Sequence, residues 1–487
     1  MSSSSKYNRD ILELCFTFLT FRELLNIIPV CKLWKEILAT SKVCFKKFIR
    51  SLDASTSEKE KESFNKYYLS SPYFPALGSM AFVFDYRNLD GEIVFNNFKY
   101  CLEKWASNLI YLEISIVPKD ELYPESPTIS NNEMVSFFQS FHLPLLQNLV
   151  VQVNSTRECR IEPLLVKFKE LKMLKLFNHR TAIADNSFKL DSLKYLEFSY
   201  SSLTYLCLNN IILMEKQDLT FITNCTQLRK LFLSLKLSSF PKEIVPCSSF
   251  PIELFPAHQF TYLDKLALAG GAIYLLPAFS SYFYKGEKQI YSSLNELSLF
   301  LNGKSEWEEK ENDVFMDILK DKSFSKIRSL RLGNISGSFA AEKLLGGEPF
   351  LFLEVLNISN SIFRKKKFLQ YLNPYYFNNL KELNLVYTFN MKMDTSLYPL
   401  ENFISLQTLK LTEYYLSRAE LKVISHLPNL KRLEFDCCKG IEPRIKLLKP
   451  LKQKLLNFTY LGEKLTEKDK KILSEFDHFS SFEIQEY

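Results

Sequence analysis

A short pattern of apolar side chains, Leu-x-x-Leu-x-Leu with Ile, Val, Phe or Tyr also occurring, recurs along most of the chain. Its fourth and sixth residues lie two apart, which is the side-chain period of a β-strand. The last seven copies begin 24–27 residues apart, so they predict units that bury their apolar faces by stacking on one another. The copies are Leu109-Leu112-Ile114, Leu146-Leu149-Val151, Leu171-Leu174-Leu176, Leu193-Leu196-Phe198, Leu228-Leu231-Leu233, Leu263-Leu266-Leu268, Leu294-Leu297-Leu299, Ile327-Leu330-Leu332, Leu353-Leu356-Ile358, Leu380-Leu383-Leu385, Leu406-Leu409-Leu411, Leu430-Leu433-Phe435, Leu455-Phe458-Tyr460 and Phe479-Phe482-Ile484.

This pattern and period are typical of leucine-rich repeats. We therefore predict an α/β fold, a leucine-rich-repeat solenoid (horseshoe) in which each unit returns along the convex side, usually as a helix. Ser417 and Glu420 form a capping box for one return helix, whose apolar stripe is Leu421, Ile424 and Leu427. Residues 466–476 are predicted to form a terminal capping helix.

Two details of the repeats concern their register and the residue at their ninth position. A second frame, Leu203-Leu206-Leu208, begins ten residues after Leu193, so the register between Leu193 and Ile327 is ambiguous. Cys438 and Asn302 stand at the ninth position of their units, where we expect them to satisfy backbone groups at the turn.

The first fifty residues carry three short apolar stripes at helical spacing. Thr20 and Glu23 form a capping box for the second helix, and Pro29 ends it. Helices this short cannot bury all their apolar surface against one another, so a partner surface is predicted. The stripes are Ile11, Leu12, Cys15, Phe16 and Leu19, then Leu24, Leu25, Ile27 and Ile28, then Val30, Leu33, Trp34, Ile37 and Leu38.

This segment resembles an F-box, most specifically in the run Val30-Cys31-Lys32-Leu33-Trp34, although Tyr7-Asn8 stands where the family usually has Leu-Pro. An F-box followed by leucine-rich repeats is the layout of the substrate-recruiting subunits of Skp–cullin–F-box ubiquitin ligases. The resemblance implies a Skp-type adaptor subunit and a cullin as partners. A helical cap over the first repeat is the alternative. The adaptor-binding residues that the resemblance implies are Ile11, Leu12, Phe16, Leu19, Leu24, Leu25, Val30, Cys31 and Trp34.

Three parts follow from these patterns. Residues 1–50 are the F-box-like helical segment, residues 51–105 are a linker and the N-terminal cap of the solenoid, and residues 106–487 are the repeats with a C-terminal cap.

Motifs for catalysis are missing from the sequence. Gly303-Lys304-Ser305 has Ser298 where a P-loop needs its first glycine, and the five histidines have no partner at metal-ligand spacing. We therefore predict a binding protein that is not an enzyme and has no cofactor or metal.

The compartment follows from composition. The N-terminus does not resemble a signal peptide, and no apolar run is long enough to span a membrane. The cysteines are scattered along the chain, which favours reduced thiols. The net charge of +7 is mild and dispersed, which argues against nucleic acid as a partner. We expect an intracellular, cytoplasmic protein, with the nucleus left open by the basic run at residues 364–367.

The binding face is predicted from strand geometry. Motif positions three, five and seven point away from the core, so they can bind a protein substrate without affecting the fold. The predicted function is substrate recognition for a ubiquitin ligase, and the alternative is a leucine-rich-repeat scaffold with no ligase role. An alternative for the position-seven rings is that they tuck under the adjoining loop. The predicted substrate-binding residues are Tyr111, Phe177, Tyr195, Phe232 and Phe300.

Overall fold

The structure is a computed structural model of the whole chain, and the description covers the ranges that follow. They are residues 12, 15, 16, 34, 79–85, 103, 109–117, 143–153, 170–178, 201–213, 222, 225–237, 260–270, 272, 294–300, 326–333, 350–359, 377–386, 398–476 and 481–486. Two compact units divide the chain: unit 1 is residues 1–228 and 234–240, and unit 2 is residues 229–233 and 241–487. None of the helices in these ranges is long and apolar enough to cross a membrane.

The described part of unit 1 holds five strands that pair in parallel, in chain order. They are β1 (Ser79–Asp85), β2 (Tyr111–Val117), β3 (Asn148–Val153), β4 (Met173–Asn178) and β5 (Tyr205–Leu213). The fourth and sixth motif positions form two in-register rows, and every side chain in them is buried. The rows are Leu112, Leu149, Leu174 and Leu206, and Ile114, Val151, Leu176 and Leu208.

Strand β5 settles the first register that the sequence left open. Leu203, Leu206 and Leu208 are buried, and β5 pairs directly with β4. A strand has one neighbour on each side, so the frame that begins at Leu203 forms the unit next to β4. The competing frame at Leu193 lies outside the described residues, and so does Tyr195. The next strand, β6 (Lys230–Leu237), is divided between the two units.

Nine further strands lie in the described ranges of unit 2, again parallel and in chain order. They are β7 (Lys265–Gly270), β8 (Glu296–Phe300), β9 (Ser329–Gly333), β10 (Val355–Ser359), β11 (Glu382–Val386), β12 (Thr408–Thr412), β13 (Arg432–Asp436), β14 (Asn457–Gly462) and β15 (Ser481–Glu486). From β7 to β14 the same two motif positions are buried throughout. One parallel strand per repeat, with its leucines stacked inside, confirms the predicted leucine-rich-repeat fold.

In the described part of unit 2, two α-helices connect strands, α1 (Arg418–His426) and α2 (Glu467–Ser474). Two 3-10 helices span Tyr398–Asn402 and Glu442–Leu451. The predicted capping box at α1 is confirmed. The Glu420 amide donates to Ser417 Oγ at 3.3 Å, and the Ser417 amide donates to Glu420 Oε2 at 2.6 Å. The stripe that the sequence assigned to this helix, Leu421, Ile424 and Leu427, is fully buried.

Helix α2 begins where the sequence predicted, because the Asp469 amide donates to Thr466 Oγ1 at 3.2 Å. The prediction that this helix is terminal is wrong. Strand β15 follows it and pairs with β14, with Phe482 opposite Phe458. The helix is therefore the return segment of a repeat, since one more strand stacks after it.

The turn after β13 contains two adjacent free cysteines, Cys437 and Cys438. Cys438 is buried, and its Sγ donates to the Leu411 carbonyl oxygen at 3.2 Å. Cys437 is exposed and has a φ of 50°. The expectation that the ninth-position cysteine satisfies a backbone group is therefore confirmed, while Asn302 lies outside the described residues.

Candidate functional site

The candidate site is the outward face of β2–β5, made by the strand residues that alternate with the buried rows. Because paired strands are in register, these residues also form rows across the strands. The rows are Tyr111, Asn148, Met173 and Tyr205; Glu113, Val150, Lys175 and Cys207; and Ser115, Gln152, Phe177 and Asn209. We define the aromatic patch as Tyr111, Glu113, Gln152, Lys175, Phe177 and Tyr205, all of which are half-buried.

The carboxylate of Glu113 is held on both oxygens. The Tyr111 hydroxyl, two residues earlier on β2, donates to Oε2 at 2.6 Å. The Gln152 amide, on β3, donates to Oε1 at 2.9 Å. Hydrogen bonds to a carboxylate are stronger than neutral ones, so they fix the position of the Tyr111 ring and of the charge beside it.

On the other side of the patch, Lys175 lies over an aromatic ring. Its Nζ is 4.8 Å from the centroid of the Tyr205 ring, which is a cation–π distance. Burial raises the pKa of the Tyr205 hydroxyl, and the nearby Cys207 raises it further. A tyrosine hydroxyl is protonated at neutral pH even without this shift, so the hydroxyl of Tyr205 can donate a hydrogen bond.

Cys207 lies in the same row as Lys175 and is buried. Burial raises the pKa of its thiol to about 12, although the charge of Lys175 acts in the opposite direction. A thiol with that pKa is protonated at neutral pH and is a poor nucleophile. Within the described ranges no group of three or more His, Cys, Asp or Glu side chains is placed to hold a metal ion. The patch thus offers noncovalent contacts: rings, an amide and two charges.

The structure brings together two of the five predicted substrate-binding residues, Tyr111 and Phe177, on the aromatic patch. Phe300 lies in unit 2, and its ring packs on the backbone of β9: a Cβ added to Gly333 would lie 2.3 Å from Phe300 Cδ1. Phe232 is half-buried on β6. Tyr195 lies outside the described residues, and substrate binding by these side chains stays a prediction.

The patch contains four residues that are not among the predicted substrate-binding residues: Glu113, Gln152, Lys175 and Tyr205. Glu113 and Lys175 stand at position five of their units. Gln152 stands at position seven of the unit that begins at Leu146, so the strand rule alone was enough to find it. Tyr205 stands at position three of the frame at Leu203, and choosing that frame required the pairing of β5 with β4.

Of the predicted adaptor-binding residues, the structure describes Leu12, Phe16 and Trp34, which are helical. The rings of Phe16 and Trp34 meet edge to face, with centroids 5.5 Å apart and planes at 71°. Phe16 is only 3% exposed, so it packs inside the chain. Binding of an adaptor stays a prediction for all nine residues, of which Ile11, Leu19, Leu24, Leu25, Val30 and Cys31 lie outside the described ranges.

On the described strands of unit 2, the outward face carries charges rather than clustered rings. Ion pairs join neighbouring strands between Lys265 and Glu296 and between Lys410 and Glu434. In the residues that precede the strands, Glu354 binds Arg328 and Lys381, each at 2.9 Å. The hydrogen bond from Lys381, aided by both positive charges, lowers the pKa of the Glu354 carboxyl.

Comparison with known proteins identifies no family. No protein-family model matches the chain, and no curated protein matches it. Among solved structures, the chain is similar to the functional domain of InlJ from Listeria monocytogenes, described as including a cysteine ladder. The two share 12% identity over 78% of this chain and 72% of that one, with a TM-score of 0.31. A likeness this low adds nothing to the fold, which the strand pairing establishes.

Proposed function

We propose that this leucine-rich-repeat chain is a non-catalytic protein-interaction scaffold that binds a partner protein on the aromatic patch of unit 1. The observation that carries the proposal is the placement of Tyr111, Phe177 and Tyr205 on one face, next to a fixed carboxylate and a fixed ammonium. Tyrosine and other aromatic side chains are enriched in protein interfaces, because they bury a large area and still offer a polar end.

The rigidity of the patch supports this function. Glu113 is held by Tyr111 and Gln152, and Lys175 lies over Tyr205, so these side chains are ordered before a partner arrives. Ordering a long side chain on binding costs about 0.5–1.5 kcal/mol, and side chains that are already fixed avoid much of that cost. The scaffold function is also supported because the buried rows stabilise the fold, which leaves the outward rows available for binding.

A second candidate function is substrate recognition for a Skp–cullin–F-box ubiquitin ligase, with residues 1–50 bound to a Skp-type adaptor. The contact between Phe16 and Trp34 favours it, because it joins residues of the first and third predicted helices. In that function the chain brings a substrate close to the transferring subunits and contributes no catalytic group. The scaffold function needs the patch alone, and the adaptor function needs both regions.

Substitutions in the patch test the scaffold function. We expect Tyr205→Ala to reduce capture of partner proteins from a cell extract by at least about tenfold, as for an aromatic anchor in an interface. Tyr262→Ala is the control, because Tyr262 is an exposed tyrosine of unit 2 and is 52% exposed. Quantitative mass spectrometry of proteins retained by the full chain gives the measurement. Equal retention by both variants and the wild type would contradict the scaffold function on this patch.

Removal of residues 1–50 separates the two candidate functions. If the chain is a ligase adaptor, the deletion abolishes co-purification with a Skp-type subunit, and Trp34→Ala weakens it. If it is a scaffold alone, retention of partner proteins on the patch is unchanged and no Skp-type subunit is recovered with the full chain.

A further inference from the structure

A row of polar side chains crosses three strands on the outward face of unit 2. Arg331 on β9 stands beside Asn357 on β10, which stands beside Asn384 on β11, all in register. We call these three residues the Arg–Asn track. The track lies in a different unit from the aromatic patch and shares no residue with it.

Arg331 is an exposed cation that makes no ion pair or hydrogen bond with the described part of the chain. The other outward residues of β9 are Ser329 and Gly333, and the in-register neighbours of Arg331 are Ser298 and Asn357. None of these four is acidic. By contrast, the outward lysines Lys265 and Lys410 form ion pairs with Glu296 and Glu434. Among the described residues, the guanidinium of Arg331 thus has no carboxylate partner, and its donors can bind one.

The far end of the track holds an incomplete hydrogen-bond site. Asn384 Oδ1 is buried and accepts no hydrogen bond from the described residues. Asn384 is in register with Lys410 on β12. Two residues further along that strand, Thr412 is 9% exposed, and its Oγ1 is also buried without a partner among the described residues. Buried acceptors almost always accept a hydrogen bond, because an acceptor without one has lost its hydrogen bonds to water and destabilises the fold. A partner that donates N–H groups at this point would remove that cost after a rotation of the side chain.

The spacing of the track fits an extended peptide. Neighbouring strands lie about 4.8 Å apart, so Arg331 and Asn384 are separated by about 10 Å across the face. An extended chain advances about 3.3 Å per residue, so about three residues span that distance. A segment running across the strands can therefore place an acidic side chain at Arg331 and main-chain amides at Asn357 and Asn384. The ring of Phe300 covers Gly333, so the backbone of the segment would pass on the side of the small residue Ser329.

We propose that the Arg–Asn track is a docking site for an extended acidic segment of a partner protein. An Asp or Glu side chain of that segment binds the guanidinium of Arg331 in a bidentate pair, and its main chain is bound by the amides of Asn357 and Asn384. The inference depends on the proposed function only in taking a protein as the partner, and its test uses no residue of the aromatic patch.

Selection from a display library of random peptides on the full-length chain tests the docking site. Wild-type protein should select peptides with Asp or Glu at one fixed position, and Arg331→Gln should lose that preference. Arg432→Gln is the matched control, because Arg432 is also an exposed outward arginine without an ion pair among the described residues, but shares its strand with Glu434. It should select as the wild type does. Selection of acidic peptides that survives in Arg331→Gln, or selection without an acidic position, overturns the proposal.

Affinities of one selected peptide then locate the contact. Replacing its acidic residue by the matching amide should weaken binding to the wild type about fivefold and leave binding to Arg331→Gln unchanged, as a coupled pair requires. Asn384→Leu should also weaken binding about fivefold without lowering the melting temperature, because it removes a buried acceptor that has no partner. Independent effects of the two charge changes, or full binding by Asn384→Leu, contradict the proposal. A dimer that Arg331→Gln dissociates would identify a second copy as the occupant and also overturn it.

Discussion

The outward faces of the two units differ, although their buried rows are nearly the same. In unit 1 the outward residues gather two tyrosines and a phenylalanine around Glu113 and Lys175. In unit 2 the outward residues are mostly small, amide-bearing or charged, and two of the lysines are paired with glutamates across strands. Both faces stand on stacked leucines that are almost completely buried.

This difference shows which positions the fold constrains. A residue in a buried row meets the same row of the neighbouring strands on both sides, so only apolar side chains of similar volume fit there. An outward residue that is exposed has solvent on one side, so its type can change at little cost in stability. The two proposed sites differ accordingly, one offering rings and the other offering charges and amides.

The largest expected effect tests whether the buried rows of the two units are equivalent. Leu174→Ala in unit 1 and Leu409→Ala in unit 2 should each lower the free energy of unfolding by about 2–5 kcal/mol, because both side chains are buried and leave a cavity. Lys410→Ala, next to Leu409 but on the outward face, should cost less than about 1 kcal/mol. Denaturant unfolding of the full chain measures all three. A cost for Leu174→Ala as small as that of Lys410→Ala would show that the rows are not equivalent.

A smaller effect tests whether the Phe300 ring of unit 2 packs on the neighbouring strand, unlike the rings of the aromatic patch. Gly333→Ala should destabilise the protein by about 1–3 kcal/mol, since its new methyl group would lie 2.3 Å from Phe300 Cδ1. Adding Phe300→Ala should recover much of the loss caused by the methyl group, because the clash then disappears. Strictly additive unfolding energies in this double-mutant cycle would show that Phe300 does not pack on Gly333 in solution.

The smallest effect concerns the charges that precede the strands of unit 2. The pKa of Glu354 is lowered in the folded chain, so its pairs stabilise the fold above the ordinary value of 4.5 and that stability is lost as the pH falls through the folded value. Glu354→Gln should remove this pH dependence and cost less than about 1 kcal/mol at neutral pH, because Arg328 and Lys381 are exposed. Thermal unfolding from pH 3 to pH 7, at low salt and at about 1 M salt, measures it. A stability difference that persists at high salt would show that the pairs act through more than charge.

Some features of the structure could be predicted from a single short segment of the sequence. The capping box of Ser417 and Glu420 and the stripe of Leu421 and Ile424 needed only helical spacing, and the structure contains both. The roles of Gly333 and Tyr205 could not be predicted in this way. Gly333 is explained by a ring on the preceding strand, and Tyr205 by the strand beside which β5 lies.

By itself, the sequence determined the repeat, the strand residues that face inward and the helix caps, because each depends on a local period or on contacts between residues a few positions apart. Only the tertiary structure decided which frame pairs with β4 and which outward side chains share a patch. These depend on pairing between strands that lie twenty or more residues apart, where the connecting segments set which strand comes next. Local periodicity fixes the direction in which a side chain points, while the neighbour that it meets is chosen by the stacking of whole repeats.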